Sequence, residues 1–103
     1  MLFRSYQAKA ETESREDAFR RREKEFAVTH PDYLQKVYGE VNGVRSWQAS
    51  RAMAAEIISS DRGQELSYYL ASNPETAAEI AALNPRETIR RMALLEEIGR
   101  AHV

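Results

Sequence analysis

Apolar positions are thin and far apart in the first third of the chain, then crowd into short clusters at helical spacing. From residue 6 to residue 29 charge dominates, and glycine and proline are absent, a composition of good helix formers. Phe19 and Phe26 sit seven apart, with Thr12 seven before them. They put one narrow sticky stripe on an otherwise solvated helix. A coiled-coil arm is the sharper alternative, weakened by the polar residues in its seam. Pro31 then breaks the pattern and suits a first helical position, with Asp32 favourable in the first turn. Tyr33, Leu34, Val37 and Tyr38 give that short helix an apolar face, and Gly39 suits its stop. Gly39 to Arg45 carries two glycines and an asparagine and reads as a hinge or loop.

From Ser46 the periodicity is cleaner. Ser46 can cap a helix running to about Ser59, with Trp47, Met53, Ala54, Ile57 and Ile58 on one side. Ser59 to Gln64 breaks it, and Asp61 with Gln64 has capping-box spacing. The next helix carries Leu66, Tyr69 and Leu70 on one face, with Tyr68 off that stripe.

Two Asn-Pro pairs follow, at Asn73-Pro74 and Asn84-Pro85. An asparagine side chain can accept from the free amides of a first helical turn. Proline after it needs no hydrogen-bond partner there and already has a helical φ, while it pushes the residue before it out of helical geometry. Each pair therefore ends one helix and starts another. The first new helix, Pro74 to about Leu83, is too short to persist alone, so Ala77, Ile80 and Ala81 must hold it by packing. The second offers Ile89, Met92, Ala93 and Leu95, with Glu87 at capping-box spacing from Asn84. The expected fold is all-α: a charged N-terminal helix, then a small bundle of short helices with an Asn-Pro-capped corner. Residues 1–30 form the arm, 31–45 a short helix and hinge, and 46–103 the compact module.

Composition narrows the function. A chain of 103 residues buries a modest core and leaves little room for a large internal substrate cavity. The formal net charge is −1, so bulk electrostatics point to neither nucleic acid nor membrane. There is no cysteine, which removes disulfides, thiolate catalysis and sulfur-ligated zinc. No apolar run reaches the roughly 20 residues of a membrane span. No phosphate loop, nucleophile elbow or two-histidine metal motif is present. His30, placed before Pro31, reads as a local structural or solvent-exposed histidine and not as a general base. No catalytic residue, metal ligand or cofactor is expected. The triplet Arg20 to Arg22 is flanked by acids and reads as a solvated face. Arg86, Arg90 and Arg91 lie on the second Asn-Pro helix, and residues 74 to 96 have the outline of a helix-turn-helix reader. The acidic balance of residues 46 to 96 argues against phosphate contacts, and a basic stripe meeting an acidic protein surface suits these arginines at least as well.

The two ends carry a separate signal. Leu2 to Ser5 and Glu97 to Val103 resemble in-frame translations of common sequencing-adapter text. The biological segment is accordingly expected to be about Tyr6 to Glu96 of a longer protein, with His102 carrying no functional weight.

The stretch from Ile58 to Glu96 resembles a segment of tailed-bacteriophage head-assembly proteins, the scaffolding proteins. The resemblance runs through Ile58, Asp61 and Gly63; then Tyr68, Tyr69 and Leu70; then Asn73 and Pro74; then Ala78, Ile80 and Leu83; and finally Pro85, Arg90, Met92, Leu95 and Glu96. With "EFAVTHPDYLQKV" upstream, it covers about Phe19 to Glu96. Gln64, where the pattern has proline, and Ala93, where it has glycine, depart from it. The resemblance implies a protein without enzymatic activity that binds phage coat protein, self-associates through its N-terminal helix, and works inside immature heads in the host cytoplasm. It implies Arg86, Arg90 and Arg91 as exposed docking charges and Tyr68 as an exposed aromatic contact. The alternative is a helix-turn-helix DNA-binding protein.

Overall fold

The computed structural model describes residues 2–101, with side chains described from 14 to 98. Six helices and one small hairpin follow in the order α1 (Leu2–Thr29), α2 (Tyr33–Tyr38), β1 (Glu40–Val41), β2 (Val44–Arg45), α3 (Arg51–Ser59), α4 (Gly63–Ser72), α5 (Pro74–Ala81) and α6 (Pro85–Ala101). The all-α expectation holds, with a two-stranded antiparallel sheet added to it. Helix α4 is central and packs against every other helix.

One core runs through the molecule. Phe19, Tyr33, Val37, Trp47, Met53, Ile57, Leu66, Leu70, Ala77, Ile80 and Met92 are buried together. Each large aliphatic side chain among them contributes about 1.5–3 kcal/mol on full burial. Phe19 joins this core and Phe26 packs against it, so the second half of α1 belongs to the body. The Thr12 end of that stripe lies outside the described side chains.

Helix α1 ends where Pro31 forces His30 out of helical geometry. The last turn closes with the His30 amide on the Phe26 carbonyl at 2.9 Å. Helix α2 begins at Tyr33 and not at Pro31; Asp32 precedes it and makes no side-chain cap. Two further helix starts differ from the sequence reading. Helix α3 starts at Arg51, capped by Ser50, whose Oγ accepts from the Met53 amide at 3.2 Å. Ser46 is not the cap, because Trp47 is drawn away. Its buried indole Nε1 donates to the Val37 carbonyl at 3.1 Å, holding 46–50 outside helix. Helix α4 lacks the Asp61 capping box: Arg62 precedes it without a side-chain cap. The Ser60 hydroxyl accepts the Arg62 amide instead, at 3.1 Å. Gly63 is required at this corner, since a Cβ there would meet the Ile57 carbonyl oxygen at 2.0 Å.

The expected hinge at 39–45 is a hairpin. Val41 pairs with Val44 and Glu40 with Arg45. Asn42 (φ 56) and Gly43 (φ 79) make the turn, the left-handed pair that matches the twist of two-residue hairpins. Arg45 Nη2 donates to the same Val37 carbonyl at 2.6 Å, so the end of α2 anchors both the hairpin and Trp47.

The Asn-Pro corner, an elbow between α5 and α6, is formed as expected, with breaks at Asn73 and at 82–84. The two asparagines behave differently. Asn84 Oδ1 accepts from the Glu87 amide at 2.9 Å, a working N-cap. Asn73 makes no such cap; its Nδ2 donates to the Tyr69 carbonyl at 2.9 Å and closes α4 instead.

Candidate functional site

Helix α6 carries the three arginines singled out in the sequence. Its inner face is set by Thr88 (0 % exposed) and Met92 (1 %), one turn apart. Thr88 can be buried because its Oγ1 donates to the Asn84 carbonyl at 2.9 Å. This corrects the expected face by one residue, since Ile89 points outward at 48 % exposure. Arg86, Arg90 and Arg91 are all exposed. Arg90 approaches Glu87 at 3.9 Å while three-quarters exposed, a pairing worth little in water. Arg86 and Arg91 have no ion pair or hydrogen bond among the described residues. Leu94 and Ile98 are half exposed on the same helix. Beside them a cavity of about 130 Å³ is lined by Leu66, Tyr69, Leu95 and Ile98 together with Arg62, Glu65 and Glu96.

Tyr68 is not an exposed contact. It is half-buried and wedged between α1 and α2. Its ring meets Phe26 (centroids 5.5 Å) and His30 (5.2 Å) edge-on. Its hydroxyl donates to Asp32 at 3.0 Å. Lys36 Nζ lies 4.9 Å from the ring centre and 3.3 Å from Asp32. The Tyr68 hydrogen bond, helped by Lys36 and opposed by desolvation, holds the Asp32 carboxyl below its ordinary pKa. The exposed aromatic of this helix is Tyr69, at 44 %. Apolar spacing assigns α4 a single buried face, whereas the folded helix packs against five others.

His30 is partly buried and stacks on Phe26 at 3.9 Å with the planes 7° apart. Of the arginine triplet, Arg20 and Arg21 are exposed. Arg22 departs from the solvated reading, because its Nη2 donates to the Ser60 carbonyl at 2.8 Å and satisfies the end of α3. His102 lies outside the described residues, as do the side chains of 2–13, the first part of the N-terminal helix (1–30) through which self-association was expected.

The sequence offered no sign of Glu23. It is 6 % exposed and accepts hydrogen bonds from Tyr33 (2.7 Å) and Tyr38 (2.5 Å) on one carboxylate oxygen. Desolvation first, and then the Glu23 carboxylate, raise both phenols well above their ordinary pKa. Glu23 thus clamps α1 to both ends of α2, and among the described residues no second carboxylate hydrogen-bonds to the same tyrosines. Among the described residues no group of three or more His, Cys, Asp or Glu could hold a metal ion, and no helix is long and apolar enough to cross a membrane.

Comparison with protein-family models, with curated proteins and with solved structures found no match to this protein.

Proposed function

We propose that this protein is a non-enzymatic scaffolding module of phage head assembly, docking on coat protein through α6. The observation that carries this reading is the exposure of Arg86, Arg90 and Arg91 on the first half of α6, with Arg86 and Arg91 lacking any internal partner among the described residues. Three guanidinium groups within six residues repel one another and have only the weak Arg90–Glu87 pair to offset it, so an acidic surface on another molecule is their natural complement. Exposed Leu94 and Tyr69 add apolar area for contact, in place of Tyr68. The resemblance to scaffolding proteins in the order of elements from Ile58 to Glu96 supports the same reading.

Coat protein polymerised with this protein should give more closed shells of uniform size than coat protein alone. Changing Arg86, Arg90 and Arg91 together to Glu should abolish that gain without unfolding the molecule. Shells that form equally well in its absence would reject the role.

The second reading is a helix-turn-helix DNA binder. The outline of α5, the three-residue turn and α6 favours it. Exposed Glu75 and Glu79 on α5 work against phosphate contact. A gel shift at low salt decides: a shift lost in the triple Glu variant supports DNA binding, and no shift by the parent protein ends it.

A further inference from the structure

We propose that Asn42 is a site of spontaneous covalent modification, converting through a cyclic imide to aspartate and isoaspartate at the tip of the β1–β2 hairpin. The protein has three asparagines, Asn42, Asn73 and Asn84, and their surroundings differ in what the reaction needs. The nucleophile is the backbone nitrogen of the next residue. After Asn73 and Asn84 that residue is proline, whose nitrogen bears no hydrogen and cannot close a neutral ring. Both side chains are also held, one on the Tyr69 carbonyl and the other by the Glu87 amide. Asn42 is followed by Gly43, which presents an N–H with no side chain to hinder approach. A Cβ built at Gly43 would have nothing within 4 Å. Asn42 is exposed, and its side chain has no hydrogen bond among the described residues.

The atoms balance with water as the only co-reactant. The Gly43 nitrogen attacks Asn42 Cγ, a new bond forms between them, and the bond from Cγ to Nδ2 breaks. Nδ2 leaves as ammonia, carrying the proton lost by Gly43. Water then opens the five-membered imide. Attack at Cγ breaks its bond to the Gly43 nitrogen and gives aspartate. Attack at the main-chain carbonyl breaks the original peptide bond and leaves isoaspartate, with the backbone running through the former side chain. No catalytic residue is required. The turn must open for the nitrogen to reach Cγ, and a ladder of two residue pairs opens readily, since short two-stranded hairpins are marginal on their own.

The product alters the hairpin. Isoaspartate adds a methylene to the main chain at a turn that tolerates only two residues in left-handed geometry. The Val41–Val44 pairing is then expected to be lost, and the Arg45 hold on the Val37 carbonyl to weaken.

The protein would be incubated folded in mildly alkaline buffer and digested at intervals. The peptide containing residues 40–45 should gain the mass of NH replaced by O, in two separable isomers. One isomer should accept a methyl group from an isoaspartyl methyltransferase. The peptides containing Asn73 and Asn84 should stay unchanged. Asn42→Gln, which can close only a slower six-membered ring, should remove both products, and hydrogen exchange at Val44 should quicken in the modified protein. A folded sample that stays unmodified while a urea-unfolded one converts at Asn42 would overturn the proposal, because the turn would then be protective. Conversion spread equally over the three asparagines would overturn it as well.

Discussion

The two halves of this molecule are held by different physics. In the N-terminal half, α1, α2 and the hairpin are joined by polar groups reaching across elements. Glu23 takes two tyrosine hydroxyls, Tyr68 bridges to Asp32, and Arg45 and Trp47 share one carbonyl. In the C-terminal half, α5 and α6 are set by local start signals and by small apolar contacts around Ala77, Ile80 and Met92. Polar clamps give a unique geometry but leave costly groups when one partner is removed. Apolar packing is more forgiving of chemistry and less forgiving of lost volume. The elbow can therefore vary its outer charges freely, which is where the arginines stand.

The largest effect should come from volume. Ile80→Ala removes a fully buried side chain from α5 and should cost about 2–5 kcal/mol, read by urea unfolding. A loss no larger than that of a surface substitution would show that α5 is not held by packing. Next, Glu23→Ala orphans the buried Tyr33 hydroxyl and should cost about 1–3 kcal/mol. Adding Tyr33→Phe to the same variant should recover part of it, as a hydrophobic contact would not. Third, the two asparagines should separate. Asn84→Ala should cost about 1 kcal/mol through its lost cap, while Asn73→Ala, exposed and without a cap to lose, should cost about 0.5 kcal/mol or less. Equal losses would mean that both pairs act as caps.

The smallest effects are in pH. The raised pKa values of Tyr33 and Tyr38 leave stability intact below 10.0, the ordinary value of the phenol. Above it the unfolded state releases protons that the folded state keeps, so stability should fall as pH rises. The Tyr38→Phe variant should show a shallower fall. At the acid end the sign reverses. The lowered pKa of Asp32 gives a contribution present above the ordinary carboxylate value of 3.8 and lost as pH falls through the folded value. Tyr68→Phe should move the Asp32 titration upward in an NMR experiment; no movement would show that the hydroxyl is not its main partner.

What could be read in advance divides along the same line. The breaks at Asn73-Pro74 and Asn84-Pro85 were legible because proline acts on its immediate neighbours. Phe19, Met53, Ile57, Leu70 and Ile80 were legible because burial follows periodicity. Asn42-Gly43 carried the hairpin signal, but its strands are only two residues each, too brief to show alternation, and it read as a loop. The start of α3 was misplaced because Trp47 is captured by a carbonyl ten residues upstream, a contact no local rule contains. Tyr68 and Tyr69 were exchanged because a single-face pattern cannot describe a helix enclosed by five others. Of the candidate site, the exposure of Arg86, Arg90 and Arg91 was readable from their spacing on α6. That Tyr69 and not Tyr68 is the exposed aromatic of α4 was not.

Tyr33 and Tyr38 stand five residues apart on α2, so their side chains leave the helix about 140° apart around its axis. They close on a single oxygen of Glu23 like the jaws of a vice. Rolling α2 in either direction loosens one jaw, and inserting or deleting one residue between them would swing the second away altogether. The heading of the hairpin is thus dictated by a carboxylate on the preceding helix, and sequence drift in α2 is free in identity at Leu34 and Gln35 but not in number.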